Sequence, residues 1–133
     1  METSFLPGHR PRPVTTLSLT AAFAVLLGIF LVIEGAWGLA SPVVFGIFTT
    51  NMLHAAIHIV LGTAGVVLGI KNRPAGFLLV LGGLLLTVGV LSYLPGVGAW
   101  AAQLLAVNGP MAAFSIMVGI AALGLGLSAH AKR

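Results

Sequence analysis

Four long apolar runs, separated by short breaks, constrain this chain more than any other feature of its sequence. They cover residues about 17–40, 51–70, 75–94 and 108–129. At about 1.5 Å per helical residue each run spans a hydrocarbon core of about 30 Å, the first with length to spare for tilt. Of the 133 residues, 59% are hydrophobic and 6% charged, too few polar groups to cover a water-soluble core of this size. In lipid every peptide group must be satisfied within the chain, which makes each run a helix. The sequence therefore predicts an all-α integral membrane protein with four transmembrane helices.

The breaks differ in chemistry. Residues 1–16 hold Pro7, Pro11 and Pro13 among His9, Arg10 and Arg12, a mixture that disfavours a helix and reads as an extended cytoplasmic tail. The first run has the basic lead and small-residue ending (Gly38-Leu39-Ala40) of a signal peptide, but its length and Glu34 within it argue for a retained helix. Lys71-Asn72-Arg73-Pro74 ends the second run and Pro95-Gly96 the third, so residues 17–133 read as a single four-helix membrane domain. With four spans, Arg10, Arg12, Lys71, Arg73, Lys132 and Arg133 all fall on one side, and the connections 41–50 and 95–107 carry no basic residue. The positive-inside rule puts both termini in the cytoplasm. The net charge of +4 is thus a topology signal and not a nucleic-acid surface. The two uncharged connections are nearly as apolar as the helices and are expected in the interface or under another subunit. Trp37, Tyr93 and Trp100 fall at their level, as an aromatic belt does.

The second half of the chain repeats the first. An offset of 57 residues carries Asn51, Ala55, Ala56, Ile59, Gly62 and Gly69 onto Asn108, Ala112, Ala113, Ile116, Gly119 and Gly126. An offset of 54 carries Gly28, Gly35 and Val43 onto Gly82, Gly89 and Val97. Each copy holds two spans, so the copies share one orientation about a pseudo-two-fold along the membrane normal. At about 100° per residue, Asn51, His54, His58, Gly62, Gly65 and Gly69 fill an arc of about 80° on the second helix. The glycines mark a packed helix contact, as do Gly28, Gly35, Gly82, Gly89, Gly119 and Gly126, and the histidines are expected to point into the bundle with them. At the matching positions the last helix has Met111 and Ser115 in place of imidazoles.

Polar residues inside the runs are few. Glu34 and His58 each lie about 10 Å in from the same side, with His54 one turn nearer the surface and Asn51 at the mouth. A carboxylate in a bilayer needs a polar partner or a proton, and His58 is the natural partner. One reading is a buried Glu34–His58 hydrogen bond that fixes the hairpin, with Asn51 as a helix N-cap. A second is a ligand site: imidazoles four residues apart share a helix face and can hold a metal or serve as axial ligands to haem or chlorophyll, with Glu34 as a further ligand or behind them. The apolar surroundings favour a macrocycle over a bare metal. A third is a proton-linked small transporter, since intramembrane Glu and His also build proton relays. No cysteine is present, only Glu2 and Glu34 are acidic, and no nucleophile set or phosphate loop can be assembled, so an enzyme is not expected.

The segments Gly28-Ile29-Phe30-Leu31-Val32-Ile33-Glu34-Gly35-Ala36-Trp37-Gly38, Phe45-Gly46-Ile47-Phe48 and Asn51-x-x-His54-x-x-x-His58-x-x-x-Gly62 together resemble the bacterial membrane family catalogued as domain of unknown function 4383. The resemblance covers best residues 20–95. It implies a small four-helix protein of the bacterial inner membrane whose Asn-x-x-His-x-x-x-His motif opens the second helix, often with a further His near the start of the last, where this chain keeps Asn108 alone. The leading expectation is a non-catalytic accessory or stabilising subunit of a larger membrane assembly, energy-transducing or photosynthetic, with lipid and other integral subunits as partners and no nucleic acid.

Overall fold

The computed structural model describes residues 17–131. The Pro/Arg segment 1–16, with His9, Arg10 and Arg12, and the terminal Lys132 and Arg133 lie outside the described residues. The apolar runs form helices α1 (Leu19–Ala40), α2 (Met52–Ile70), α3 (Ala75–Leu91) and α5 (Gly109–His130). Three of them, α1, α2 and α5, are each long and apolar enough to cross a membrane, and α3 is a shorter apolar helix of 17 residues. Outward-facing Leu26, Val60, Val80, Met117 and Leu127 are exposed, so the outside of the bundle is apolar.

The structure departs from the sequence expectation at the end that carries both uncharged connections, the loop end. The third run stops being helical at Leu91 and not at residue 94: Ser92, Tyr93 and Leu94 turn through short-range bonds such as Tyr93 N–H to the Val90 carbonyl, ahead of Pro95. The second connection is not a loop but a further helix, α4 (Val97–Leu105), entered at Gly96 with φ +79° and left at Ala106 in the left-handed region. At nine residues and apolar on nearly every position, it has no readable period. The first connection folds into a two-residue antiparallel ladder, β1 (Val43–Val44) with β2 (Phe48–Thr49), turned by Phe45 and Gly46 at positive φ.

The helices associate as two pairs, α1 on α2 and α3 on α5, with sparser contact between the pairs. Glycine decides where each pair crosses. A Cβ built on Gly28 would lie 2.5 Å from the Gly62 carbonyl oxygen, and one on Gly62 would lie 2.5 Å from that of Gly28. In the other pair, Gly82 and Gly119 stand in the same mutual relation at 2.9 Å. Gly35 faces the Ala55 carbonyl as Gly89 faces that of Ala112, while Gly69 meets Val25 as Gly126 meets Leu79. The 54- and 57-residue offsets superimpose each of these contacts on its partner. Burial follows the same offsets: His54, Ala55, His58, Gly62, Gly65 and Gly69 are buried on α2, and Met111, Ala112, Ser115, Gly119, Ala122 and Gly126 on α5.

Between the pairs lies a core of Leu27, Leu31, Leu81 and Leu85, continued by Ala24, Leu78 and Ala122. Toward the loop end it becomes aromatic, with Phe114 5.2 Å from Phe30 and 5.3 Å from Phe48 between ring centres. The loop end is then tied by reciprocal hydrogen bonds. Asn51 caps α2 through the His54 N–H and donates its amide to the Leu104 carbonyl at 2.9 Å; Asn108 caps α5 through the Met111 N–H and donates to the Ile47 carbonyl at 2.8 Å. The same 57-residue offset relates donors and acceptors alike, so each half caps its own helix and binds the connection of the other.

Since dispersion at close contact is what joins helices in lipid, Gly62→Val is expected to force α1 and α2 apart, at a cost of at least about 1–3 kcal/mol. Gly83→Ala and Gly124→Ala, where a Cβ would meet nothing within 4 Å, are expected to leave stability within about 1 kcal/mol. Thermal unfolding of the three variants in detergent measures the difference.

Candidate functional site

The polar residues expected to converge do so, in the loop-end half of the first helix pair. Glu34 and His58 come within reach because α1 and α2 cross at Gly28 and Gly62, and because Gly35, beside Glu34, lets the two backbones stay close for another turn. Glu34 is 1% exposed, and His54 and His58 are 6% each. His58 Nδ1 is hydrogen-bonded to Glu34 Oε2, His58 Nε2 meets His54 Nε2 at 3.0 Å, and His54 Nδ1 reaches the Leu105 carbonyl at 2.8 Å. The result is a continuous chain from the end of α4 through two imidazoles to a carboxyl group inside the bundle. Leu105 has no sequence signature for this role, since it contributes only its backbone oxygen at the C-terminal end of an unanticipated helix.

The direction of each bond follows from its ends. A carbonyl only accepts, so His54 Nδ1 carries a hydrogen, and a neutral His54 presents the lone pair of Nε2 to His58. His58 Nε2 then donates. One proton is left for the contact between His58 Nδ1 and Glu34, giving either a neutral acid against a neutral imidazole or a carboxylate against an imidazolium. Both arrangements have the same number of protons and no net charge, which suits an apolar interior where an unbalanced charge is costly.

Glu34 Oε1 is buried and has no hydrogen-bond partner among the described residues. A cavity of about 10 Å³ adjoins it, lined also by His58, Met111, Phe114 and Ser115. A volume of that size has room for about one water molecule. A second cavity, of about 80 Å³, also adjoins His58, lined by His54, His58 and Ser115 and walled by Leu61, Leu85, Val88 and Val107. Ser115, noticed in the sequence only as the counterpart of His58, is thus the one polar side chain from the second pair that faces both cavities. The counterparts of Glu34, His58 and His54 are Val88, Ser115 and Met111, and Met111 packs in an apolar cluster with Phe48 and Val44. The two halves share a backbone and differ in chemistry.

Axial ligation of a macrocycle needs an Nε2 facing a slot as wide as the ring. Here the two Nε2 atoms meet each other, and no group of three or more His, Cys, Asp or Glu side chains stands ready to hold a metal among the described residues. Below Glu34, toward Lys71 and Arg73, the interior is Leu31, Leu27 and Leu81, all buried and apolar. The polar chain stops at Glu34. His130, in the last turn of α5, is exposed and takes no part.

Comparison with known protein families, with curated proteins and with solved structures finds no match to this chain.

Removing one member of a buried, hydrogen-bonded pair leaves the other unsatisfied, at a cost of about 3–5 kcal/mol when a charge is stranded. Glu34→Leu and His58→Leu are each expected to destabilise by that order, whereas the double replacement Glu34→Leu/His58→Leu recovers most of the loss. A double-mutant cycle of unfolding free energies in micelles checks it, with additive losses as the contrary result.

Proposed function

We propose that this chain is a four-span protein of the bacterial cytoplasmic membrane, built as two tandem hairpins with both termini cytoplasmic. In this reading it serves as a non-catalytic accessory subunit of a larger membrane assembly. It accords with the resemblance to domain of unknown function 4383, carried by Glu34, Asn51, His54 and His58 on α1 and α2. At 17 residues α3 is near the lower limit for a span, and a thinner crossing or the adjoining Ser92-Tyr93-Leu94 turn makes up the length.

The observation that carries the subunit reading is the surface of the loop end. Asn51, Asn108, Thr49 and Tyr93 commit their polar groups to backbone carbonyls of the chain itself, although Tyr93 and Gln103 remain exposed. What it turns outward is Val43, Phe45, Ile47, Val97, Trp100 and Leu104, each at least 40% exposed. By the charge asymmetry this end is the extracytoplasmic one, where a free surface meets headgroups and water. An apolar cap on that side is best explained by cover from another integral subunit, of an energy-transducing or photosynthetic complex.

A ligand role for Glu34, His54 and His58 is the second reading, favoured by the convergence of the two Nε2 atoms. A transport role has less support, because the polar chain ends against leucine.

Gentle solubilisation from the native membrane is expected to yield a complex in which this chain co-purifies with larger integral subunits. Paired replacement of Phe45 and Trp100 by Ser is expected to release it. Migration only as a monomer or homodimer would overturn the subunit reading. A reporter fused after Arg133 is expected to score cytoplasmic, and an extracytoplasmic score would invert the topology.

A further inference from the structure

The chain of bonds through Glu34, His58 and His54 has the form in which proteins hold metal-binding imidazoles. A ligating His almost always donates its remote N–H to a carboxylate or a backbone carbonyl, which fixes the ring and leaves the other nitrogen for the ion. Here His58 Nδ1 is held by Glu34 and His54 Nδ1 by the Leu105 carbonyl, while the two Nε2 atoms meet each other at 3.0 Å. If Glu34 is ionised and each Nδ1 bears its hydrogen, two lone pairs face each other, and a positive charge between them is required. A proton supplies that charge in the metal-free chain. We propose that His54 and His58 form a two-nitrogen site for a soft monovalent cation, Cu(I), which takes the place of that proton.

Geometry, charge and donor number each narrow the choice of ion. An ion at about 2.0–2.1 Å from both nitrogens subtends about 95° at their 3.0 Å separation, a bent geometry that calls for a third donor, whereas linear two-coordination needs the pair to open to about 4 Å. Space for that opening exists, since the cavity of about 80 Å³ is bounded by both imidazoles. A monovalent ion against the Glu34 carboxylate leaves the site neutral. A divalent ion leaves one positive charge in an interior where, among the described residues, Glu34 is the only acidic group. No set of three or more His, Cys, Asp or Glu side chains stands ready to hold an ion among the described residues, so a four-coordinate zinc site is not built here. Cu(I) is the common biological ion that accepts two or three donors and favours imidazole and thioether. Met111 is 2% exposed and lines the small cavity that also adjoins His58, which makes it a candidate for a soft third donor. The repeat gives this residue a meaning: where the first half has His54, the second half offers a thioether. No electron transfer is involved, and the displaced proton leaves to solvent.

This inference rests on the ligand reading of Glu34, His54 and His58 and stands apart from the subunit reading, and its test uses the isolated full-length chain. The chain in detergent is titrated anaerobically with Cu(I) against a chromophoric Cu(I) chelator. Wild type is expected to take one equivalent, with two imidazole nitrogens in the X-ray absorption spectrum of the bound copper. His54→Asn keeps a side-chain donor for the Leu105 carbonyl and removes the inward nitrogen, so it is expected to fold with unchanged helical content and lose the equivalent. Glu34→Gln removes the balancing charge and is expected to weaken binding by about 10–100-fold. His9→Ala and His130→Ala leave uptake unchanged. Uptake in folded His54→Asn equal to wild type, a spectrum without imidazole scattering, or Zn(II) held as tightly as Cu(I) by the same residues would each overturn the proposal. The spectrum of the wild-type chain decides the matter even if a variant does not fold.

Discussion

Contact between helix backbones at glycine is the interaction on which the rest of this structure depends. Gly28 and Gly62 bring α1 and α2 so close that a methyl group on either would collide with the carbonyl of the other. In a bilayer, apolar side chains gain nothing by leaving lipid for protein, so close dispersion contact and shared hydrogen bonds must supply the adhesion. That approach also positions the chemistry. Glu34 lies about 100° round α1 from Gly35, toward the interior between the pairs, and His58 lies one turn from Gly62 on α2. A carboxyl group and an imidazole on wider-spaced helices would each need water or a longer side chain to be satisfied.

The two helix pairs use one geometry for different ends. In the second pair, Gly82 against Gly119 and Gly89 against Ala112 reproduce the crossing, yet the interior positions hold Val88, Met111 and Ser115. A like glycine crossing accounts for the common packing of both pairs, since close approach is a condition of assembly in each. It does not call for a polar chain in either. Buried hydrogen-bonded groups contribute little net stability and are costly if incomplete, so packing alone does not account for three ionisable residues in one half. The loop end reinforces the difference. Asn51 and Asn108 exchange bonds with Leu104 and Ile47 symmetrically, whereas the additional bond from His54 to Leu105 has only an apolar contact around Met111 and Phe48 as its counterpart. Symmetric bonds fasten the two connections, and the single asymmetric one anchors the site.

Much of this was legible in the sequence. Hydrophobic length gave the four main helices, and the 57-residue offset identified the buried faces of α2 and α5 nearly residue by residue, because close packing in lipid demands small residues at helical spacing. The level of Glu34 in the first run and of His58 in the second was enough to pair them. Less was legible at the loop end. There α4 and the Val43–Thr49 ladder are built from residues as apolar as their surroundings, so neither period nor polarity contrast marked them. The acceptor for His54 is a backbone carbonyl, which no side chain announces.

The sequence by itself determined the four main helices, their glycine faces and the presence of one carboxyl group near two imidazoles, because these follow from spacing along a helix of fixed pitch. Only the tertiary structure decided how those three side chains are joined. The rings could equally have turned Nε2 toward a cofactor slot, toward Glu34 or toward the surface. The Leu105 carbonyl at the end of α4 orients His54, Glu34 orients His58, and the two Nε2 atoms are left facing each other. That outcome depends on where two backbones and a third helix end meet in space, a relation that no local spacing encodes.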